Sequence, residues 1–553
     1  MRILFVLLLA GTALAAAQPA AQLAGKAPAR VGVGSEPRRL PLDEAIQLAL
    51  KNNLEIEVER TNIDNAQQVL RAARGAFDTV LGYAPTLAER NTPTASSLAS
   101  PDGKMSEHAF DNNFSVRQKT PWQGLSLSAN FDNSRQSTNN PFTSLSPLTA
   151  SRLTVGLNLP LLRNRALDGD RASVRIRSKQ LAQSRIDFEL RVVDVITRTQ
   201  GAYWNLVAAI EDESVAQDGV RLAQEQYDRS KRQVDSGTLA PVEISAAEAE
   251  LKRREDSFMT AVGQVMEAEN ALKTLLAAGQ DDALWNVRLA PTDLHGAAPA
   301  AADVPLEISQ ALERRAELRS VELRLEALQI QTQLAREAVK PQVNLSAIYS
   351  TAGLAGNVST TSNPIGSAFT PLIDRLNQIS TLLGLDPFSG FNFGSGVPAA
   401  FVGGYGQNLS NLLSGNFQTL QAGLSIEWTP RNRTASAMLE QSAIAERRLK
   451  LQRKQVEQGI GVDVRNALQA IETARQRIEA AGAGERAAKE KLDSEIRLFQ
   501  TGESTNFLVL TRQNELLDSR RRTVQAGLQM NFAAARLAQA SGVTLEKNRI
   551  QLP

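Results

Sequence analysis

The sequence predicts a mostly helical protein with a membrane β part, built from one unit written twice. Three observations carry that prediction: a motif repeated 268 positions downstream, heptad spacing of apolar residues in two very long segments, and two-residue alternation ahead of each of them. Composition narrows the field further. The chain has 553 residues, 61 Lys plus Arg against 59 Asp plus Glu, two His and no Cys. A net charge of +2 offers no electrostatic case for nucleic acid. Without cysteine there is no disulfide, thiolate zinc site, thiol nucleophile or lipidated N-terminal Cys.

The repeat sets the boundaries. LPLLRNR (Leu159 to Arg165) returns as IEWTPRNR (Ile426 to Arg433), and the segment Arg229 to Leu251 aligns with Ser494 to Leu516, placing Gly237 against Gly502. Pro41 to Ile56 aligns more loosely with Pro305 to Leu318. The expected order is therefore a leader at 1–17, a linker at 18–40, a first repeat at 41–277, a second linker at 278–304, a second repeat at 305–542 and a tail at 543–553. The leader has basic Arg2, an apolar run from Ile3 to Ala10, and small residues at Ala13, Ala15 and Ala17 that fit signal-peptide cleavage. No later stretch is long and apolar enough to span a bilayer as a helix, so a membrane form must be a barrel.

Each repeat reads as short helix, strands, very long helix, tight turn, short helix. In the first long helix Val174, Leu181, Phe188, Val192, Val195, Ala202 and Leu206 form a heptad seam. In the second, Ile471, Ala474, Ile478, Ala481, Ala488, Leu492, Ile496 and Phe499 do so, interrupted by Glu485. The glycines at 237 and 502 suit helix C-caps, Pro241 suits the first position of the next helix, and Ser504 or Thr505 suits an N-cap. A helix from Asp168 to Ser236 runs about 100 Å, against about 55 Å for Pro241 to Ala277 and about 50 Å for Leu42 to Gly75. Two short helices end to end thus match one long one, and the second repeat gives the same sum.

Strands are expected at about 79–160, 341–350 and 417–428. Leu125, Leu127, Ala129 and Phe131 alternate with Ser126, Ser128, Asn130 and Asp132; Leu420, Ala422, Leu424 and Ile426 alternate with Gln421, Gly423, Ser425 and Glu427. Of the 26 aromatics, 16 lie in 77–160 or 343–428, which suits strands facing lipid. Each repeat brings roughly two to four strands, too few to close the smallest ordinary barrel of about eight, so several chains share one. The segment Thr351 to Gly415, glycine-rich and nearly uncharged, reads as an outward loop with a short amphipathic helix at Pro371 to Leu385. Asn91 to Asn112 reads as a polar loop.

These features together resemble the TolC-type outer-membrane efflux protein family. The motifs are the opening PLDEAIQLALKNN, the strand entry GAFDTVL (Gly75 to Leu81), the duplicated unit and the helix tips, and they cover about Leu40 to Val543. The resemblance implies a homotrimer whose shared barrel crosses the outer membrane of a Gram-negative bacterium and whose long helices form a periplasmic tunnel. It also implies two partners, a periplasmic adaptor (membrane fusion) protein and an inner-membrane transporter, in an efflux or type I secretion system. Gly237, Thr238, Leu239 and Ala240, with Gly502, Glu503, Ser504 and Thr505, are the tip residues it assigns to the adaptor. Two departures stand out: the positions of the family's acidic ring are Leu508 and Thr511 here, and Thr79 stands where a proline is common.

No chemistry rises beside this. His108 and His295 fall in polar stretches without a ligand pattern, no phosphate loop or nucleophile elbow is present, and no cofactor or metal is expected. Glu243, Glu248 and Glu250 read as a solvated face, and Arg520, Arg521 and Arg522 as solvent or interchain partners. The reading is therefore a passive channel and not an enzyme. The competing class is a periplasmic or surface structural coiled coil without a pore.

Overall fold

The computed structural model describes residues 34, 36–96, 98–100, 102–293, 303–360, 364–388 and 396–552. The expected leader, most of the first linker and His295 lie outside them. The first linker ends in β1 (Pro37–Leu40), and the first repeat gives α1 (Leu42–Asn52), α2 (Leu54–Arg74), β2 (Val80–Pro93), β3 (Lys104–Lys119), β4 (Ser126–Thr138), β5 (Leu145–Pro160), α3 (Gly169–Asp235) and α4 (Val242–Leu276). Then follow β6 (Arg288–Pro291), α5 (Val304–Arg314), α6 (Ala316–Val339), β7 (Gln342–Val358), α7 (Pro364–Leu382), α8 (Tyr405–Leu413), β8 (Gln418–Glu427), α9 (Arg433–Thr501), α10 (Asn506–Ala540) and α11 (Thr544–Lys547). They fall into two compact units, one of Met1–Asp64, Gln183–Glu322 and Leu451–Pro553, the other of Asn65–Ala182 and Leu323–Lys450.

The first unit is helical. Along the α3 seam Phe188, Val192, Val195 and Leu206 are buried with Leu272 and Leu276 of α4 and Ala45, Ile46 and Ala49 of α1. On α9, Ile471 and Ala474 pack with Met530 and Ala533 of α10, and Ala488 and Leu492 with Val509 and Leu516. Between those two clusters Ile478 is exposed, so the second seam is broken there. Glu485 in that gap accepts from Thr523 (2.8 Å), a polar exchange that replaces apolar packing.

Ahead of the strands, where each repeat was expected to have one short helix, there are two. At the first break Asn53 is extended; its N–H still caps α1 through Ala49 O, and its Oδ1 accepts from Glu55 N (2.9 Å) to start α2. At the second, Arg315 takes the same conformation (φ −68°, ψ 127°) and its guanidinium pairs with Glu317 (2.5 Å) and Asp463 (2.9 Å). The linkers are also more ordered than expected: β1 and β6 pair in parallel from Pro37↔Arg288 to Leu40↔Pro291. No alternation announces strands of four residues. They are held by burial of Leu40 and Leu289 and by Tyr203, whose Oη donates to Asp293 Oδ2 (2.6 Å) and accepts from Thr292 N and Asp293 N.

Beneath that small sheet lies a fully buried ion pair, Lys273 Nζ to Glu269 Oε1 at 2.8 Å, with Lys273 also donating to Trp285 O and Glu269 accepting from Leu289 N. Such a pair adds little net stability, but removing one partner strands the other charge. Asp212 on α3 is half-buried. Desolvation pushes its carboxyl above the usual range, Glu211 reinforces this, and Arg521 opposes it.

The second unit is built on a six-stranded antiparallel sheet, β2-β3-β4-β5-β7-β8. Register places Leu81, Tyr83 and Leu87 beside Val116, Phe114 and Phe110, and Val155 between Ala129 and Tyr349, so one face is an apolar band crossing all six strands. Tyr83 stacks on Phe114 at 4.6 Å. The other face carries Ser115, Asn130, Asp132, Thr154, Ser350 and Gln421. The stretch read as a polar loop at Asn91 to Asn112 is mostly strand, since β2 runs to Pro93 and β3 starts at Lys104. Outward of Leu87 and Phe110 polar residues dominate both faces, so the backbone ladder forms there with little apolar signal. His108 accordingly sits in β3 opposite Glu89.

The outward loop also begins as strand, because β7 continues to Val358. The expected helix starts earlier, at Pro364, and α8 follows. Asn408 of α8 is buried and donates to Ser151 Oγ (2.5 Å), while Leu412 O accepts from Thr351 (2.8 Å). An added Cβ on Gly353 would lie 2.2 Å from Asn408 O, so only glycine admits α8 here. Ser151, Thr351 and Gly353 share the face of the apolar band, so α8 lies against that face, beyond the band.

Lys273→Ala should lower stability by about 3–5 kcal/mol, read by chemical denaturation followed through helical circular dichroism. Lys273→Ala with Glu269→Ala should recover part of that loss. Asp212→Asn should stabilise the protein at pH 7. A carboxyl whose folded pKa is raised favours folding in its protonated form, so that contribution is present below the unfolded pKa and lost as pH rises. The advantage of the Asn variant should therefore shrink as pH falls towards 4, read as the difference in denaturation midpoint between the two proteins.

Candidate functional site

The two hairpin turns are the same structure made from different residues. At the end of α3, Gly237 has φ +74°, its N–H donates to Val234 O (2.9 Å), and Thr238 N donates to Gln233 O (2.9 Å). At the end of α9, Gly502 has φ +81°, its N–H donates to Phe499 O (3.2 Å), and Glu503 N donates to Leu498 O (2.9 Å). Both are Schellman caps, in which a left-handed glycine satisfies the last free carbonyls of a helix. Around each glycine nothing lies within 4 Å of an added Cβ. The demand for glycine is therefore one of backbone conformation, and the space beyond is open.

The residues that follow differ. Thr238 Oγ1 doubles the cap by donating to Gln233 O, and Pro241 sits at the N-cap of α4 with helical φ and ψ, one position earlier than expected. In the second turn Thr505 is the N-cap of α10, accepting from Leu508 N, while Ser504 Oγ turns back to Glu495 on α9. Gly237, Thr238, Ala240, Gly502, Glu503 and Thr505 are exposed, and Leu239 and Ser504 are half-buried.

Asn506 joins the two tips. It is buried, its side chain pairs with Gln226 of α3, and its Nδ2 donates to Glu243 Oε2 of α4 (3.1 Å). Glu243 is therefore a link between hairpins, and Glu250 is an internal ion-pair partner of Arg254 (2.8 Å); the expectation of a plain solvated face fails for both. Arg520 likewise pairs within the subunit, with Asp218 (2.9 Å), because α10 lies against α3 there.

Sequence reasoning missed two apolar side chains at the tips. Val242 is 70 % exposed and Phe507 74 %, each in the first turn after a cap, with Leu508 half-exposed beside Phe507. A large apolar residue next to a solvated N-cap is the signal that was available. Leu508 and Thr511 carry no charge, and Thr511 Oγ1 bonds its own helix at Phe507 O. Among the described residues no group of three or more His, Asp or Glu is placed to hold a metal ion.

Residues 108–278 match the family model described as outer membrane efflux protein, a family of channels and not of enzymes. No curated protein sequence matches the chain. Among solved structures, the outer-membrane channel OprN aligns at 14 % identity and a TM-score of 0.60, over 91 % of this chain and 89 % of that one. The outer membrane protein VceC from Vibrio cholerae aligns at 15 % and 0.59, over 91 % and 96 %. The CmeC outer membrane channel of Campylobacter jejuni aligns at 15 % and 0.59, over 91 % and 86 %. The chain thus has the fold of TolC-type outer-membrane channels, long helices with a strand region.

Gly237→Ala and Gly502→Ala should each cost about 1–2 kcal/mol, the penalty for a side chain in the left-handed region. Gly502→Asn should cost less, since Asn tolerates that conformation. Denaturation midpoints of the three variants test the order.

Proposed function

We propose that this chain is the channel subunit of an outer-membrane export system. Three copies share one barrel in the outer membrane of a Gram-negative bacterium, and their helices form a tunnel in the periplasm. The tip residues Gly237 to Ala240 and Gly502 to Thr505 meet a periplasmic adaptor, and an inner-membrane transporter supplies the energy. The leader at 1–17 exports the chain, and the barrel, not a lipid, anchors it. Conduction is passive.

One observation carries this reading: the apolar face of the sheet has a polar reverse, and its edge strands β2 and β8 are each paired on one side only. Hydrocarbon accepts such a face but not such edges, so further strands must close the sheet. A structural rod in water would leave the whole band wetted, and that argues against the coiled-coil alternative. The exposed Val242 and Phe507 support contact at the tips with another protein.

The test uses the open space at Gly502. Gly502→Phe projects its ring away from its own subunit, so it should abolish export while oligomers still reach the outer membrane. Gly502→Asn, which keeps the turn, should retain export. Photo-crosslinkers at Thr238 and Glu503 should capture one periplasmic protein. Normal export by Gly502→Phe would remove the tips from the mechanism, and fractionation with the salt-washable periplasmic proteins would favour the rod.

A further inference from the structure

Resting on the three-copy channel reading, we infer that the barrel wall has eighteen strands and that its lumen admits large hydrated cargo. Each copy brings six strands in one continuous sheet, three times which is eighteen. Strands about 4.8 Å apart and tilted by about 40° close a backbone cylinder about 36 Å across for eighteen, against about 24 Å for twelve. With small inward side chains the wider cylinder leaves a bore of about 25 Å.

The sheet gives its two inner strands no other role. Four strands connect the sheet to the helices: β2 and β7 follow the short helices α2 and α6, and β5 and β8 lead into the long helices α3 and α9. The other two, β3 and β4, are joined to each other by a turn closed by Thr120 N to Leu125 O at 2.8 Å. This hairpin is paired on both flanks, to β2 along its whole length and to β5 along most of β4. Its outer face carries Phe114, Val116, Leu127 and Phe131 in line with the apolar band, so it is wall and not plug. Taking it out would break two ladders and wet four apolar side chains.

The inner face is built for width. Gly82 faces Ser115 across β2 and β3, Gly156 faces Ser128, and Gly423 faces Ser346; an added Cβ at those glycines would come within 2.5, 2.9 and 3.3 Å of the serine hydroxyls. Glycine and serine fill the least lumen of any polar pairing. The largest helix packed on the sheet among the described residues, α8, lies against the opposite face. Asp132 and Arg152, opposed on β4 and β5, add charges of both signs, which suits polar solutes of either charge.

Electron cryomicroscopy of the purified oligomer in lipid nanodiscs, with accessibility of a lumen cysteine, tests this. Because the chain has no Cys, Thr154→Cys gives a single inward thiol, with Ser128→Cys as a second should the first fail to assemble. The expected result is eighteen strands with three-fold symmetry, and labelling from the outer side by maleimide polymers up to about 20 Å in diameter. Twelve strands with three-fold symmetry, the β3–β4 hairpin lying outside the wall, would overturn the inference and leave the channel reading intact. A cut-off near 10 Å in an eighteen-stranded barrel would overturn the cargo class. Absence of any closed barrel would overturn the channel reading itself.

Discussion

An unpaired backbone amide in hydrocarbon costs several kcal/mol, and this chain ends its sheet in two strands that are paired on one side only. A soluble protein can leave such edges to water, but a sheet with an apolar band across every strand cannot have water at that face. In the channel proposed above, the two requirements conflict within one subunit and are met when edges of separate copies pair. On that reading, association and the gathering of the helices that follow the strands descend from that single backbone constraint. Closing the edges would then complete the fold, and not be a later step between finished parts.

The helical part has its own constraint, the need to keep two hairpins in register over long seams. Heptad packing alone leaves sliding by one heptad nearly degenerate. Specific polar contacts break that degeneracy: Asn506 to Glu243 near the tips, Arg520 to Asp218 further along, and Arg315 to Asp463 at the helix break. Each costs desolvation and contributes little net energy. Each also fits in only one register.

Much of this was legible in residue order. The glycines at 237 and 502 specify the turns because few other residues adopt a positive φ, and the alternation of Leu127 to Phe131 specifies a half-buried strand whatever surrounds it. What escaped has physical reasons. The outer parts of β2 and β3 are polar on both sides, so periodicity carries no signal, and β1 and β6 are too short for a period to show. Phe507 was passed over because exposure is a property of the assembled hairpin, set by Val509 taking the inward position two residues on. The link at Glu243 was unreadable because Glu243 and Asn506 lie 263 residues apart in the chain.

The two Schellman turns share a backbone but not a surface: one is followed by Leu239 and Val242, the other by Glu503 and Phe507. In a ring of three copies this gives six positions of two alternating kinds. A partner that reads only the shape of the turn has six equivalent seats, whereas one that reads Phe507 has three. The stoichiometry of the docked partner thus reports which property of the tip it recognises, the backbone held in common by the two repeats or the side chains in which they have diverged.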